Sequence, residues 1–196
     1  MSEQAEHHYT SLGVDNRKLG MWLLIASECM LFGTLIVSYL IFRTKSLVGP
    51  HPREVLSIPI TTVSTFVLLM SSFSVVLALY SIQQDDHKAF RRWILVTVLG
   101  GLVFLGFQTY EFTEFVHGGL GLSTNVFGST FFMLTGTHGA HVAVGVILLL
   151  SLFFASLRGK LREDGALKVD TIALYWHFVD VIWIVIFTVV YLFVFV

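Results

Sequence analysis

The 196-residue chain is 55% hydrophobic and only 13% charged, against about 25% charged residues in a typical soluble domain. Net charge is −1 and no long basic or acidic run occurs, which excludes nucleic acid as a partner. A single cysteine, Cys29, excludes an intramolecular disulfide and a thiolate metal cluster; it lies in an apolar run and is expected to be inert packing.

The first 18 residues form a polar segment that includes Glu3, Glu6, Asp15, Arg17 and Lys18. It lacks the apolar core of a secretory signal peptide, so the first apolar run is expected to stay in the mature protein. A helix needs ~20 apolar residues to cross the hydrocarbon core, and five stretches meet that length: Leu19–Phe42, Ile58–Ile82, Trp93–Val116, Phe127–Leu157 and Ile172–Val196. The fourth exceeds it, and its excess is expected to project past the bilayer or to tilt. Short breaks with turn chemistry, such as Gly49-Pro50-His51-Pro52 and His117-Gly118-Gly119-Leu120-Gly121, leave no room for a soluble domain. The expected fold is an all-α integral membrane protein in which residues 19–196 form a single five-helix transmembrane domain.

Nine of the lysines and arginines fall before span 1 and after spans 2 and 4, and three fall in the alternate segments. The positive-inside rule puts the nine on the cytoplasmic side, which predicts a cytoplasmic N-terminus and a C-terminus on the periplasmic, outer side. Trp22, Trp93, Tyr175 and Trp176 are then placed as inner-interface anchors. No internal repeat is present, which argues against an inverted-repeat transporter.

Several polar residues interrupt the spans. Glu28 lies near the middle of span 1, ~14 Å from its start at about 1.5 Å per residue. An ionised carboxylate is costly in hydrocarbon, so the neutral acid is the expected resting form and the residue is a site hypothesis. The alternative is a Glu that only hydrogen-bonds a neighbouring helix. Ser27, Thr34 and Ser38 lie near it, on a face expected to look toward protein. In span 3, Gln108, Glu111 and Glu114 recur every three residues as one strip: either two carboxylates that could bind a cation or relay protons, or half-solvated interfacial packing. Span 4 sets Thr135, His138, His141 and Gly145 on one face near mid-membrane. Two imidazoles at that spacing could share a metal, but a catalytic site wants a third protein ligand. The small residues Gly136, Gly139 and Ala140 fit a close helix contact instead, so packing is preferred and proton relay stays open. In span 5, His177 and Asp180 stand one turn apart, as a pair that can share a proton or as a structural pair at a wet cytoplasmic boundary.

These segments also occur as an ordered set: Gly20-Met21-Trp22, Ser27-Glu28, Gln108-Thr109-Tyr110-Glu111, Gly128-Ser129-Thr130-Phe131-Phe132, Thr135-Gly136-Thr137-His138-Gly139-Ala140-His141-Val142 and Tyr175-Trp176-His177-Phe178-Val179-Asp180-Val181-Ile182-Trp183. The set resembles subunit III of the haem–copper respiratory oxidases over roughly the whole chain after Lys18. The span 4 and span 5 strings are the specific ones. Longer members of that family have seven spans, and this chain matches their last five, as many bacterial versions do.

The resemblance implies a non-catalytic accessory subunit in the bacterial inner membrane. Such a subunit packs with oxidase subunits I and II, binds phospholipids, supports proton uptake and protects the catalytic centre during turnover. Haems and copper would lie on the partner subunits, with none in this chain, and cytochrome c would reach the complex through subunit II. No catalytic or metal-ligating residue is assigned. Glu28 is the buried carboxyl expected to influence proton uptake, and Gln108, Glu111, His138, His141, His177 and Asp180 are intramembrane packing residues. Arg158 and Lys160 match the family's lipid-headgroup contacts, whereas a further family arginine is replaced by Ala155. Gln108-x-x-Glu111 and Glu28 resemble the cytochrome c branch. The alternatives are a quinol oxidase or nitric oxide reductase subunit and, from other classes, a proton-coupled transporter or a membrane metalloenzyme.

Overall fold

The computed structural model describes residues 15–45, 58–159, 161 and 165–193. Most of the polar N-terminal segment and Lys160 lie outside the described residues. Five helices follow one another: α1 (Asn16–Phe42), α2 (Ile58–Gln83), α3 (His87–His117), α4 (Val126–Leu157) and α5 (Gly165–Phe187), the last continued by a π-helical segment over Thr188–Leu192. All five are long and apolar enough to cross a membrane.

Helices α1, α2 and α4 begin within three residues of the apolar stretches, but α3 starts six residues before Trp93 and α5 seven before Ile172. Hydrocarbon selects apolar residues, whereas backbone hydrogen bonding continues past the hydrocarbon edge through charged turns. The start of α3 is set instead by a cap: the Asp86 carboxylate accepts from the N–H groups of Lys88 (3.1 Å) and Ala89 (2.9 Å). Asp85, at φ 60°, makes the tight turn out of α2 in the left-handed region that Asp tolerates better than most residues. Asp15 caps α1 through the Arg17 N–H at 2.8 Å.

Consecutive helices run antiparallel. At the end where α1 begins, Lys18 donates to Asp170 of α5 at 2.7 Å. Arg91 of α3 grips the last turn of α4 there, through the Ser156 hydroxyl (3.0 Å) and carbonyl (2.8 Å). At the far end, the ring of Tyr39 meets that of Phe127. Helix α1 packs mainly on α4 and α5, and α2 lies along α3. The most buried span is α5, 56% against 17% for α1, so α5 is the helix around which the polar residues gather.

Trp176 of α5 shows how close that packing is. A Cβ added at Gly101 of α3 would lie 2.6 Å from its indole, and one at Gly145 of α4 would lie 2.7 Å from it. Those two glycines make the slot, and the indole N–H donates to Ser71 of α2 at 3.1 Å. Trp176 and Tyr175 are thus buried rather than interface anchors, because helix α5 begins earlier than its apolar run. Trp22 and Trp93 are exposed near the helix ends, where interface anchors belong.

Candidate functional site

The intramembrane polar residues gather at the middle depth of the bundle. Phe32, one turn after Glu28, is buried edge-on against the ring of His141 at 5.0 Å, and this packing turns the same face of α1 toward α4. The Glu28 carboxylate then reaches Nε2 of His141 at 3.1 Å. Nδ1 of His141 lies 2.8 Å from the Thr137 carbonyl, which can only accept, so Nδ1 carries a hydrogen. Nε2 of His141 and a Glu28 carboxyl oxygen therefore face each other, and a hydrogen bond between them needs a hydrogen on one of the two. The Tyr175 hydroxyl donates to the His141 carbonyl at 3.2 Å and closes the group. A groove of about 270 Å³, lined by Leu24, Glu28, Ala140, His141, Val144 and Tyr175, opens beside it.

His138 takes a different environment one turn away. It is fully buried, its Nε2–H donates to the Val179 carbonyl at 3.2 Å, and its ring lies 4.8 Å from that of Trp183. The two imidazoles share a helix side but point to different partners, and no group of three His, Cys, Asp or Glu able to hold a metal forms among the described residues. Of the small residues beside them, Gly139 makes the close contact, against the Gln108 amide, whereas Ala140 faces the groove. Gln108 is buried and donates to the Thr135 carbonyl at 2.6 Å.

The strip expected in α3 divides. Gln108 and Glu111 are buried, whereas Glu114 is exposed. Six residues at about 100° each leave Glu114 roughly 120° round the helix from Gln108, so a spacing of three drifts off any one face. Glu111 accepts from the Thr61 hydroxyl of α2, and Tyr191 of the π-helical segment also interacts with Thr61 and Glu111. No paired carboxylate site results.

The His177–Asp180 pair also divides. Nδ1 of His177 lies 2.6 Å from the Ser72 hydroxyl of α2, not on Asp180. Asp180 is buried, and neither carboxyl oxygen makes a hydrogen bond among the described residues; Ser72 lies against it without normal bonding geometry. Because α5 begins at Gly165, His177 is twelve residues into the helix, ~18 Å at 1.5 Å per residue.

Other expectations are corrected. Cys29 is exposed, not packed. Ser27 and Thr34 are exposed, and with Ser38 they bond carbonyls of their own helix at 2.7–2.9 Å, so that face of α1 is not buried in this chain. Arg158 is exposed at the end of α4.

What the sequence reading missed is the hydroxyl ladder of α2. Thr61, Thr65, Ser71 and Ser72 meet, respectively, Glu111, Trp183, Trp176 and His177. The signal was present as hydroxyls at helical spacing within an otherwise apolar run.

Residues 2–195 match the family model described as cytochrome c oxidase subunit III. The chain belongs to that family. It is 42% identical to "Cytochrome c oxidase subunit 3" of Bacillus sp. (strain PS3) over 90% of this chain and 86% of that protein. Against "Probable quinol oxidase subunit 3" of Staphylococcus saprophyticus it is 40% identical over 89% of this chain and 88% of that protein. The corresponding Staphylococcus aureus protein is 38% identical over the same shares. With five apolar spans, this subunit III family member is a multi-pass bacterial membrane protein.

Proposed function

We propose that the chain is the accessory third subunit of a haem–copper oxidase that reduces O2 to water with electrons from cytochrome c. It packs with catalytic subunit I and with subunit II, and it holds no redox centre of its own. The observation that carries this reading is the family match over residues 2–195. The Glu28–His141 pair, 3.1 Å apart beside a groove, supports an influence on proton uptake and on bound phospholipid. Nine basic residues on one set of segments support a cytoplasmic N-terminus, and Arg158 at that end is suited to a lipid phosphate.

A quinol donor is the second reading, favoured by the 40% identity to the S. saprophyticus protein. The residue pattern Gln108-x-x-Glu111 with Glu28 supports cytochrome c instead. O2 consumption by the complex purified through a tag on this chain separates the two. Fast uptake with reduced cytochrome c and slow uptake with a quinol is the expected result. The reverse ratio overturns the donor assignment, and uptake with neither overturns the oxidase reading.

A further inference from the structure

Several polar atoms lack a hydrogen-bond partner among the described residues, and those of Gln108 (Oε1), His138 (Nδ1) and Asp180 (both carboxyl oxygens) are sealed inside the bundle. Oε1 of Glu28 differs from them. His141 meets only the other carboxyl oxygen, so Oε1 makes no hydrogen bond among the described residues, and its residue lines a groove of about 270 Å³. The chemistry of that free oxygen follows from the pair. Because Nδ1 of His141 carries the hydrogen given to Thr137, the Glu28–His141 bond has its hydrogen either on Oε2, donated to Nε2, or on Nε2, donated to Oε2. In both cases Oε1 bears no hydrogen, and it can only accept. Glu28 is the thirteenth of the 27 residues of α1 and His141 the sixteenth of the 32 of α4, so the pair stands halfway along both helices. That is ~18 Å from the start of α1 at about 1.5 Å per residue, deep in the hydrocarbon. A phospholipid keeps its phosphate and ester oxygens at the interface; only its acyl chain arrives at this depth, and an acyl chain cannot donate.

We infer that this groove binds a membrane-dissolved quinol, with one ring hydroxyl donating to Oε1 of Glu28. A quinol carries its hydroxyls on an apolar ring with an isoprenoid chain, so it brings a donor into hydrocarbon where interfacial lipids bring none. The groove suits that shape: Leu24 and Val144 are exposed aliphatic walls, the Tyr175 ring lines a third side, and the single methyl of the exposed Ala140 leaves the approach to the carboxyl open. Its volume falls just under the ~300–1,000 Å³ of sites for drug-sized ligands, the size for one substituted ring. His141 is a positioning residue, since it holds Oε2 and leaves Oε1 facing the ligand. The reduced form binds better than the oxidised one, because a quinone carbonyl and Oε1 are both acceptors. The inference concerns binding alone: no bond breaks, and the ring keeps its electrons and protons. It goes beyond the proposed function and holds for either electron donor, since the groove lies within this chain.

Photolabelling in native membranes tests it, with a benzoquinol that carries a diazirine beside the ring on its decyl chain, followed by purification through a tag on this chain. Peptide mapping should place adducts at Leu24, Ala140 or Val144. Excess decylubiquinol should remove them, oxidised decylubiquinone should do so less well, and added phosphatidylglycerol should leave them. The larger groove lined by Ile60, Val103 and Phe107 has no carboxyl and reports simple partition into apolar surface. Equal labelling of the two grooves, or displacement by phosphatidylglycerol, overturns the inference; equal displacement by quinone and quinol overturns the acceptor role of Oε1. Per mole of chain recovered, Glu28→Leu should lower the labelling by about three- to tenfold, the size of one hydrogen bond. Ala140→Leu, which fills the groove and keeps the Glu28–His141 pair, should lower it as well, whereas Glu28→Gln, which keeps a carbonyl acceptor, should retain most of it. Equal labelling in all of these proteins contradicts the site. Haem recovered with the tagged chain reports on the oxidase reading separately: groove adducts without haem defeat that reading and leave this inference standing, and haem without groove adducts defeats this inference alone.

Discussion

Nδ1 of His141 is committed to the Thr137 carbonyl, so only Nε2 can meet Glu28. Glu28 also lines the groove it shares with Leu24, Val144 and Tyr175. Because an ionised carboxylate is costly in hydrocarbon, an apolar carbodiimide, which reacts with protonated carboxyls, should modify Glu28, whereas a water-soluble one should modify the exposed Glu114. Peptide mapping after each reagent checks this; apolar labelling confined to Glu111 or Glu114 would contradict it. Trp176 gives a packing test. Gly145→Ala pushes a methyl into the indole face and should destabilise the bundle by about 1–3 kcal/mol, as overpacking does, measured by unfolding in mixed micelles; an unchanged midpoint would sink the slot. Glu28, His138 and His141 were legible in sequence because charge or imidazole in an apolar run stands out. Their partners were not, since a partner is set by the rotation of a second helix. The i, i+3 spacing of His177 and Asp180 suggested a pair, but Ser72, 105 residues away in sequence, took the imidazole.

Helix boundaries obey a different physics from membrane spans. Apolar length located five helices, but the charged first turns of α3 and α5 lie past the hydrocarbon edge, and only the Asp86 cap marks where α3 begins. That mark was readable as an aspartate just ahead of a helical run. Hydrogen bonds from the Ala89 N–H, then from Lys88, with the charges of Arg92 and Lys88, hold the Asp86 carboxyl below its ordinary range. The cap thus contributes fully above the ordinary carboxylate pKa and is lost as pH falls through the depressed folded value. Hydrogen-exchange protection at the first turn of α3, measured against the intrinsic rate at each pH, should fall on acidification, whereas Asp86→Asn, which caps without titrating, should keep constant protection. Parallel profiles for the two proteins would remove Asp86 from that role. In α2, overall apolarity hid the ladder of Thr61, Thr65, Ser71 and Ser72, whose meaning appears only once α3 and α5 lie against it.

At the scale of the whole molecule, α5 is the axis: α2 binds its tryptophans and His177 through hydroxyls, α4 reaches the backbone of α5 through His138, and α1 adds Glu28 at the edge. The helices close most of their polar accounts internally, and buried atoms such as the Asp180 carboxyl oxygens are left without a partner among the described residues. Its relatives are oxidase subunits, of cytochrome c and quinol type. The five-span plan was legible because hydrocarbon imposes length and polarity on each segment separately. The faces that meet partners were not, because lipid and a partner helix select the same aliphatic residues. Intact-complex mass spectrometry of the tagged chain, released from native membranes in mild detergent, tests the central claim most directly. The account predicts one copy of this chain bound to a haem-carrying subunit, with phospholipid adducts. A chain recovered alone, or only with copies of itself, would contradict it.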